Sequence, residues 1–148
     1  MTFQQVESWT RIFSEVAPGL VLIFACYQYW RSVRTRRAEW LFSLFQRFYE
    51  ESNYRHIRAI LDSPLSPQFK RLESDIHNEN EGENVESFVN YLNFFEFIAV
   101  LKNRGQLNQS EICDLFDYYL RNIKQRQFAV DYVRKQGFEH LDRLLKEI

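Results

Sequence analysis

The stretch VAPGLVLIFACYQYW, residues 16–30, decides how this chain is built, because it is the one long apolar run without a charge. Four arginines follow it directly: Arg31, Arg34, Arg36 and Arg37. A helix needs roughly 20 apolar residues to cross the hydrocarbon core of a bilayer. Extending the run to Ile12 and Val33 reaches that length with one charged residue near each end. We therefore predict a transmembrane helix over residues 12–33.

The flanks of this stretch predict its orientation. Tyr27, Tyr29 and Trp30 lie where an aromatic belt meets the headgroups, and Trp9 suits the opposite interface. Because the cations follow the run, the positive-inside rule places the short N-terminus, residues 1–11, outside the cytoplasm. Residues 34–148 are then cytosolic, anchored by a single pass in the cell inner membrane. A cleaved signal peptide would carry its basic residues before the apolar run, so it fits poorly.

Two alternatives stay open for this region. A run shorter than about 18 residues can also be a buried helix or hairpin of a soluble protein. The arginine cluster is interpreted as a cytoplasmic flank that binds anionic lipid, at about 1 kcal/mol per charge. A nucleic-acid patch is the other interpretation, but it would be small and would lie against a membrane. Nucleic acid is therefore not the partner we expect.

Composition predicts an all-α protein. The chain has 148 residues, a net charge of −1, and 17% aromatic residues, with only four Gly and three Pro for sheet turns. Period-two alternation is scarce, so we predict that the transmembrane helix runs into a cytosolic helical bundle. The two cysteines, Cys26 and Cys113, form no C-x-x-C pair, which favours neither a disulfide framework nor a zinc site.

Breaks in the helical pattern divide residues 34–148. Nothing interrupts the pattern between Trp30 and Glu50. Shorter helices are predicted over 54–61 and 68–77, followed by a polar acidic loop, NENEGEN, over 78–84. After a long helix, LNQSEI at 107–112 has the pattern of a capping box, with Asn108 as the cap. The remaining helical stretches are expected over 123–136 and 138–148, separated by Gly137.

The long helix, predicted over 85–104 with Asn84 as its cap, is the expected centre of the bundle. It is apolar around most of its circumference, so neighbouring helices should surround it. A core polar stripe of Asn90, Asn93 and Glu96 is the exception. These residues could form a buried network or face a partner, and Glu96 would then need a cation such as Arg104. A structural or oligomer-specifying role is favoured over a functional site.

The spacing R-x5-H occurs twice, as Arg71 with His77 and as Arg134 with His140. It resembles the R-x4–6-H motif of the HEPN ribonucleases, small helical dimers that cleave RNA. Two occurrences are close to what chance gives, and Leu72 and Lys135 stand where that motif often has a small polar residue. No phosphate loop, metal-spaced histidine pair or nucleophile elbow is visible, so we expect no cofactor and no metal.

The run Val89–Tyr119 carries a family resemblance. It contains Leu92–Glu96 (LNFFE), the break Arg104-Gly105 and Asp114–Phe116. These segments resemble a prokaryotic group of small single-span proteins that carry a domain of unknown function. The resemblance implies a membrane helix before a helical domain, and no activity or catalytic residues. The layout is also similar to the membrane accessory proteins of RNA-targeting CRISPR systems, which oligomerise.

These observations predict a protein that acts by interaction rather than by catalysis. The expected partners are the bilayer and a second copy or another protein. Such an assembly could serve as a membrane effector or accessory protein, for example in phage defence. A HEPN-like ribonuclease that uses the two Arg–His pairs is the alternative.

Overall fold

A computed structural model describes the backbone of residues 3–148 and the side chains of residues 21–148. Seven α-helices account for the regular structure of these residues: α1 (Phe3–Glu50), α2 (Ser52–Leu61), α3 (Pro67–His77), α4 (Glu83–Asn103), α5 (Gln109–Gln125), α6 (Gln127–Lys135) and α7 (Glu139–Glu147). The all-α prediction is confirmed. The chain divides into two compact units, residues 1–44 and residues 45–148.

Local sequence explains four of the helix ends in the second unit. Asn108 forms the expected capping box at the start of α5: its side chain accepts from the Glu111 amide, and Glu111 caps the Asn108 amide in return. Ser66 caps α3, with Pro67 in the first turn. Gly105 and Gly137 end helices with φ of 68° and 78°, in the left-handed region that glycine tolerates best.

Two predicted boundaries differ from the structure. α4 begins at Glu83, two residues before the predicted start, so Asn84 lies within the helix and does not cap it. The side-chain oxygen of Asn84 lies 2.8 Å from His56 Nε2 instead. The chain also breaks at Arg126, between α5 and α6, and not before Ile123 as the periodicity indicated. Arg126 adopts an extended conformation, and its guanidinium donates to the Leu61 carbonyl oxygen at 3.2 Å. This tertiary bond offers a physical reason for a break that periodicity does not show.

The core of the second unit forms around α4, which packs against α2, α3, α5 and α7. Its fully buried residues include Phe88, Tyr91, Leu92, Phe95 and Ile98. Burying each large side chain stabilises the fold by about 1.5–3 kcal/mol, so α4 should contribute more to stability than any other helix. The expectation that neighbours surround α4 holds for most of its circumference, but Asn93 and Phe97 are exposed on its remaining face.

An aromatic cluster lies at one side of this core, with Phe48 at its centre. The Phe48 ring is fully buried, and the Phe94 and Tyr119 ring centroids both lie 4.9 Å away. Arg58, 8% exposed, lies over the Phe48 and Tyr49 rings at 4.8 and 4.4 Å and donates to the Tyr49 carbonyl oxygen. The cation–π contacts and this hydrogen bond compensate in part for burying the guanidinium charge, since Arg58 Nη1 is buried without a hydrogen-bond partner among the described residues.

Candidate functional site

The apolar segment, defined here as Val21–Trp30 of α1, is exposed throughout. Ile23 is 69% exposed and Tyr29 is 70% exposed. Successive residues of an α-helix are about 100° apart, so ten of them cover every side of the helix. The structure therefore presents an apolar surface around the whole circumference, and a large exposed apolar patch marks a site of association.

Within the part of the chain that the structure describes, no helix has a stretch that is both long and apolar enough to cross a membrane. The side chains of residues 1–18 and 20 lie outside the described residues, and the first part of the predicted span, residues 12–33, falls on them. The predicted extracytoplasmic segment, residues 1–11, lies wholly among them. The transmembrane helix stays a prediction.

The predicted membrane flank follows the apolar segment on the same helix. Its four arginines, Arg31, Arg34, Arg36 and Arg37, are all exposed. The Arg34 guanidinium lies 5.3 Å from the centroid of the Trp30 ring, and this places a cation beside the last aromatic residue of the segment. Helical spacing directs the arginines to several sides of α1, so positive charge surrounds the helix at this level.

The predicted core polar stripe lies at the surface of α4 and is not a buried network. Asn93 is exposed, while Asn90 and Glu96 are half-buried. Among the described residues, the structure gives the Glu96 carboxylate no ion pair with Arg104 or another cation. The carboxylate accepts hydrogen bonds from two backbone amides in the first turn of α7, Leu141 at 2.7 Å and His140 at 3.3 Å. Glu96 is therefore a long-range cap of α7, satisfying amides that a helix start leaves without partners.

Three of the four residues in the two Arg–His pairs contact other side chains. The Arg71 side chain lies 3.9 Å from Asp75, and His77 is exposed at the end of the same helix. Arg134 donates to Asp142 at 3.2 Å, whereas His140 lies 2.7 Å from the Asn103 amide. Three cavities lined by described residues, of about 690, 470 and 290 Å³, each lack at least one member of either pair. The ribonuclease alternative stays a prediction.

A cavity on the second unit was not predicted from the sequence. It is a groove of about 690 Å³ between α3, the following loop, α4 and α6. That volume lies within the roughly 300–1,000 Å³ of known ligand pockets. Its more buried apolar residues are Ile76, Val85, Val89 and Tyr132, and its exposed acidic residues are Glu79, Glu81, Glu83 and Glu86. We call it the acidic groove; the acidic loop at 78–84 was the one sequence signal for it.

The electrostatics of the acidic groove are unbalanced. Lys135 donates a hydrogen bond to Glu79, which lowers the pKa of that carboxyl below its ordinary value. The structure gives Glu81, Glu83 and Glu86 no ion pair among the described residues. These carboxylates are also spread along the groove, and no group of potential ligands among the described residues could hold a metal ion. The groove therefore suits an extended cationic partner with apolar side chains better than a single cation.

The fold defines an all-helical protein whose first helix carries an exposed apolar segment. The chain belongs to the DUF4760 family, a domain of unknown function whose match covers residues 16–126. The match begins with the apolar stretch at Val16 and ends at the break between α5 and α6. The expected membership of a family of unknown function is confirmed. Neither the curated proteins nor the solved structures contain a match to this chain.

Proposed function

We propose that this chain is a membrane-anchored helical protein that acts by interaction with other proteins and with itself. The observation that carries the proposal is the exposure of the apolar segment on every side of α1. A docking surface for one partner protein would need only one apolar face, whereas a lipid-facing helix is apolar all round. Residues 12–33 form the span in this proposal, and the arginines that follow it stay on the cytoplasmic side.

Interaction is a better proposal than catalysis for the helical unit, residues 45–148. Neither Arg–His pair lines the acidic groove, and no group of potential metal ligands lies among the described residues. The setting that we propose is that of a membrane effector or accessory protein, for example in phage defence. Support for this setting comes from the resemblance of layout, together with an exposed apolar helix that anchors copies in one plane.

Membrane fractionation tests the anchor. We expect the full-length chain to stay in the pellet after an alkaline carbonate wash and to need detergent for extraction. The double variant Leu22→Asp/Ile23→Asp should move to the supernatant, because each carboxylate at the centre of a span costs about 2.5–3.5 kcal/mol.

The matched control changes two exposed apolar residues of the same helix that lie beyond the predicted span, Trp40→Asp/Phe42→Asp. This control should stay in the pellet. A wild-type chain that remains in the supernatant without detergent would overturn the proposal. A cytoplasm-specific reporter fused after Ile148 tests the orientation, since it should be active if residues 34–148 are cytosolic.

A further inference from the structure

We propose that the acidic groove binds the basic segment, Trp30–Arg37 (WRSVRTRR), of a second copy of this chain. The inference deepens the self-association proposed above and rests on it. It assigns a partner to the groove and a second role to the arginines. The two surfaces are of opposite charge, and both are exposed.

The groove favours a partner that is both apolar and cationic. Ile76, Val85 and Val89 give it an apolar wall, while Glu81 and Glu86 leave uncompensated negative charge at its exposed edge. An apolar wall contributes affinity by removing partner surface from water, and the separated carboxylates select a partner with several spaced cations. A metal ion does not meet this description, because the acidic groups do not converge.

The basic segment has the matching chemistry. Trp30 and Val33 are 65% and 47% exposed, and three positions apart on a helix they lie on one side. Arg31 and Arg34 flank these residues on the same stretch of helix and are exposed as well. Trp30 and Val33 belong to the last turn of the proposed span, at the level of the headgroups. The segment thus presents apolar and cationic groups together at the membrane surface, where the groove of a neighbouring copy can meet them.

Anionic lipid headgroups offer the same arginines a competing partner. Headgroups provide charge at the bilayer surface, whereas the groove adds an apolar wall for Trp30 and Val33. We therefore assign the neighbouring chain, and not lipid, as the partner of the basic segment within an assembly. Because different surfaces meet in such a contact, it generates a ring or an open filament, unless two copies exchange their basic segments reciprocally in a two-fold dimer.

A charge exchange between two variants tests the proposal. Full-length chains carry a donor or acceptor dye at the C-terminus and are reconstituted in phosphatidylcholine vesicles, where no anionic lipid competes. Energy transfer at increasing protein-to-lipid ratios measures association. The groove variant Glu81→Lys/Glu86→Lys and the segment variant Arg31→Glu/Arg34→Glu should each weaken association by about tenfold or more, because like charges then meet.

Mixing the two variants decides the question. In the mixture each altered surface meets a partner of opposite charge, so association should return to within about threefold of the wild-type level. The control Glu73→Lys/Asp131→Lys alters two exposed acids that do not line the groove and should leave association unchanged. Thermal unfolding of each variant separates lost association from lost folding.

Three results would overturn the inference: association that survives both variants, a mixture that stays dissociated although both variants are folded, or a loss that the control shares. In each of these cases insertion into the vesicles can remain normal, so the membrane anchor stands. A wild-type chain that does not insert would contradict the anchor instead, whatever the groove binds.

Discussion

Replacing Glu96 with alanine should destabilise the helical unit by about 2 kcal/mol. The carboxylate accepts from two backbone amides of α7, at 2.7 and 3.3 Å, and is half-buried. A hydrogen bond to a charged group contributes about 1.5–3 kcal/mol, and losing a helix cap costs about 0.5–2 kcal/mol. The longer bond should add little. This contact holds α7 in place, and α7 contributes three leucines to the core: Leu141, Leu144 and Leu145.

Chemical unfolding of the purified full chain in detergent, followed by circular dichroism, measures this cost. In a thermal unfolding experiment on a unit of this size, a loss of about 2 kcal/mol should lower Tm by roughly 8–16 °C. Glu96→Gln keeps an acceptor oxygen and should lose about half as much. Asn93→Ala, on the exposed face of the same helix, is the matched control and should change stability by less than about 0.5 kcal/mol. If Glu96→Ala unfolds like the control, then Glu96 is not the cap of α7.

Two further predictions concern tyrosine and histidine. Burial, with the hydrogen bond that Tyr119 donates to the Tyr49 hydroxyl at 2.8 Å, raises the pKa of Tyr119 to about 12. A raised pKa stabilises the folded state below pH 10, and this contribution is lost as the pH rises through about 10–12. The free energy of unfolding of Tyr119→Phe, measured by urea titration, should therefore fall less steeply over this pH range than that of the wild type. His77→Ala and His140→Ala should leave folding unchanged, and neither should alter RNA cleavage in a gel assay with labelled RNA. Loss of cleavage in a folded variant would revive the ribonuclease alternative.

The sequence was a good guide wherever the deciding interactions are local. The capping box at Asn108, the cap of α3 at Ser66 and the glycine that ends α4 all act within a few residues, so their pattern is visible in the chain. The all-helical class follows from periodicity and from the scarcity of turn residues. Asn84 was the local exception, because His56, 28 positions away, attracts its side chain.

Sequence alone thus determined the helical class, the order of the helices and the location of the one continuous apolar stretch, because these depend on neighbours along the chain. Only tertiary structure decided the partner of Glu96, the break at Arg126 and the acidic groove. Glu96 was expected to need a cation, but its charge is met by the start of a helix 44 residues further on. Contacts of that range depend on how helices pack, and periodicity within one helix carries no information about its neighbours.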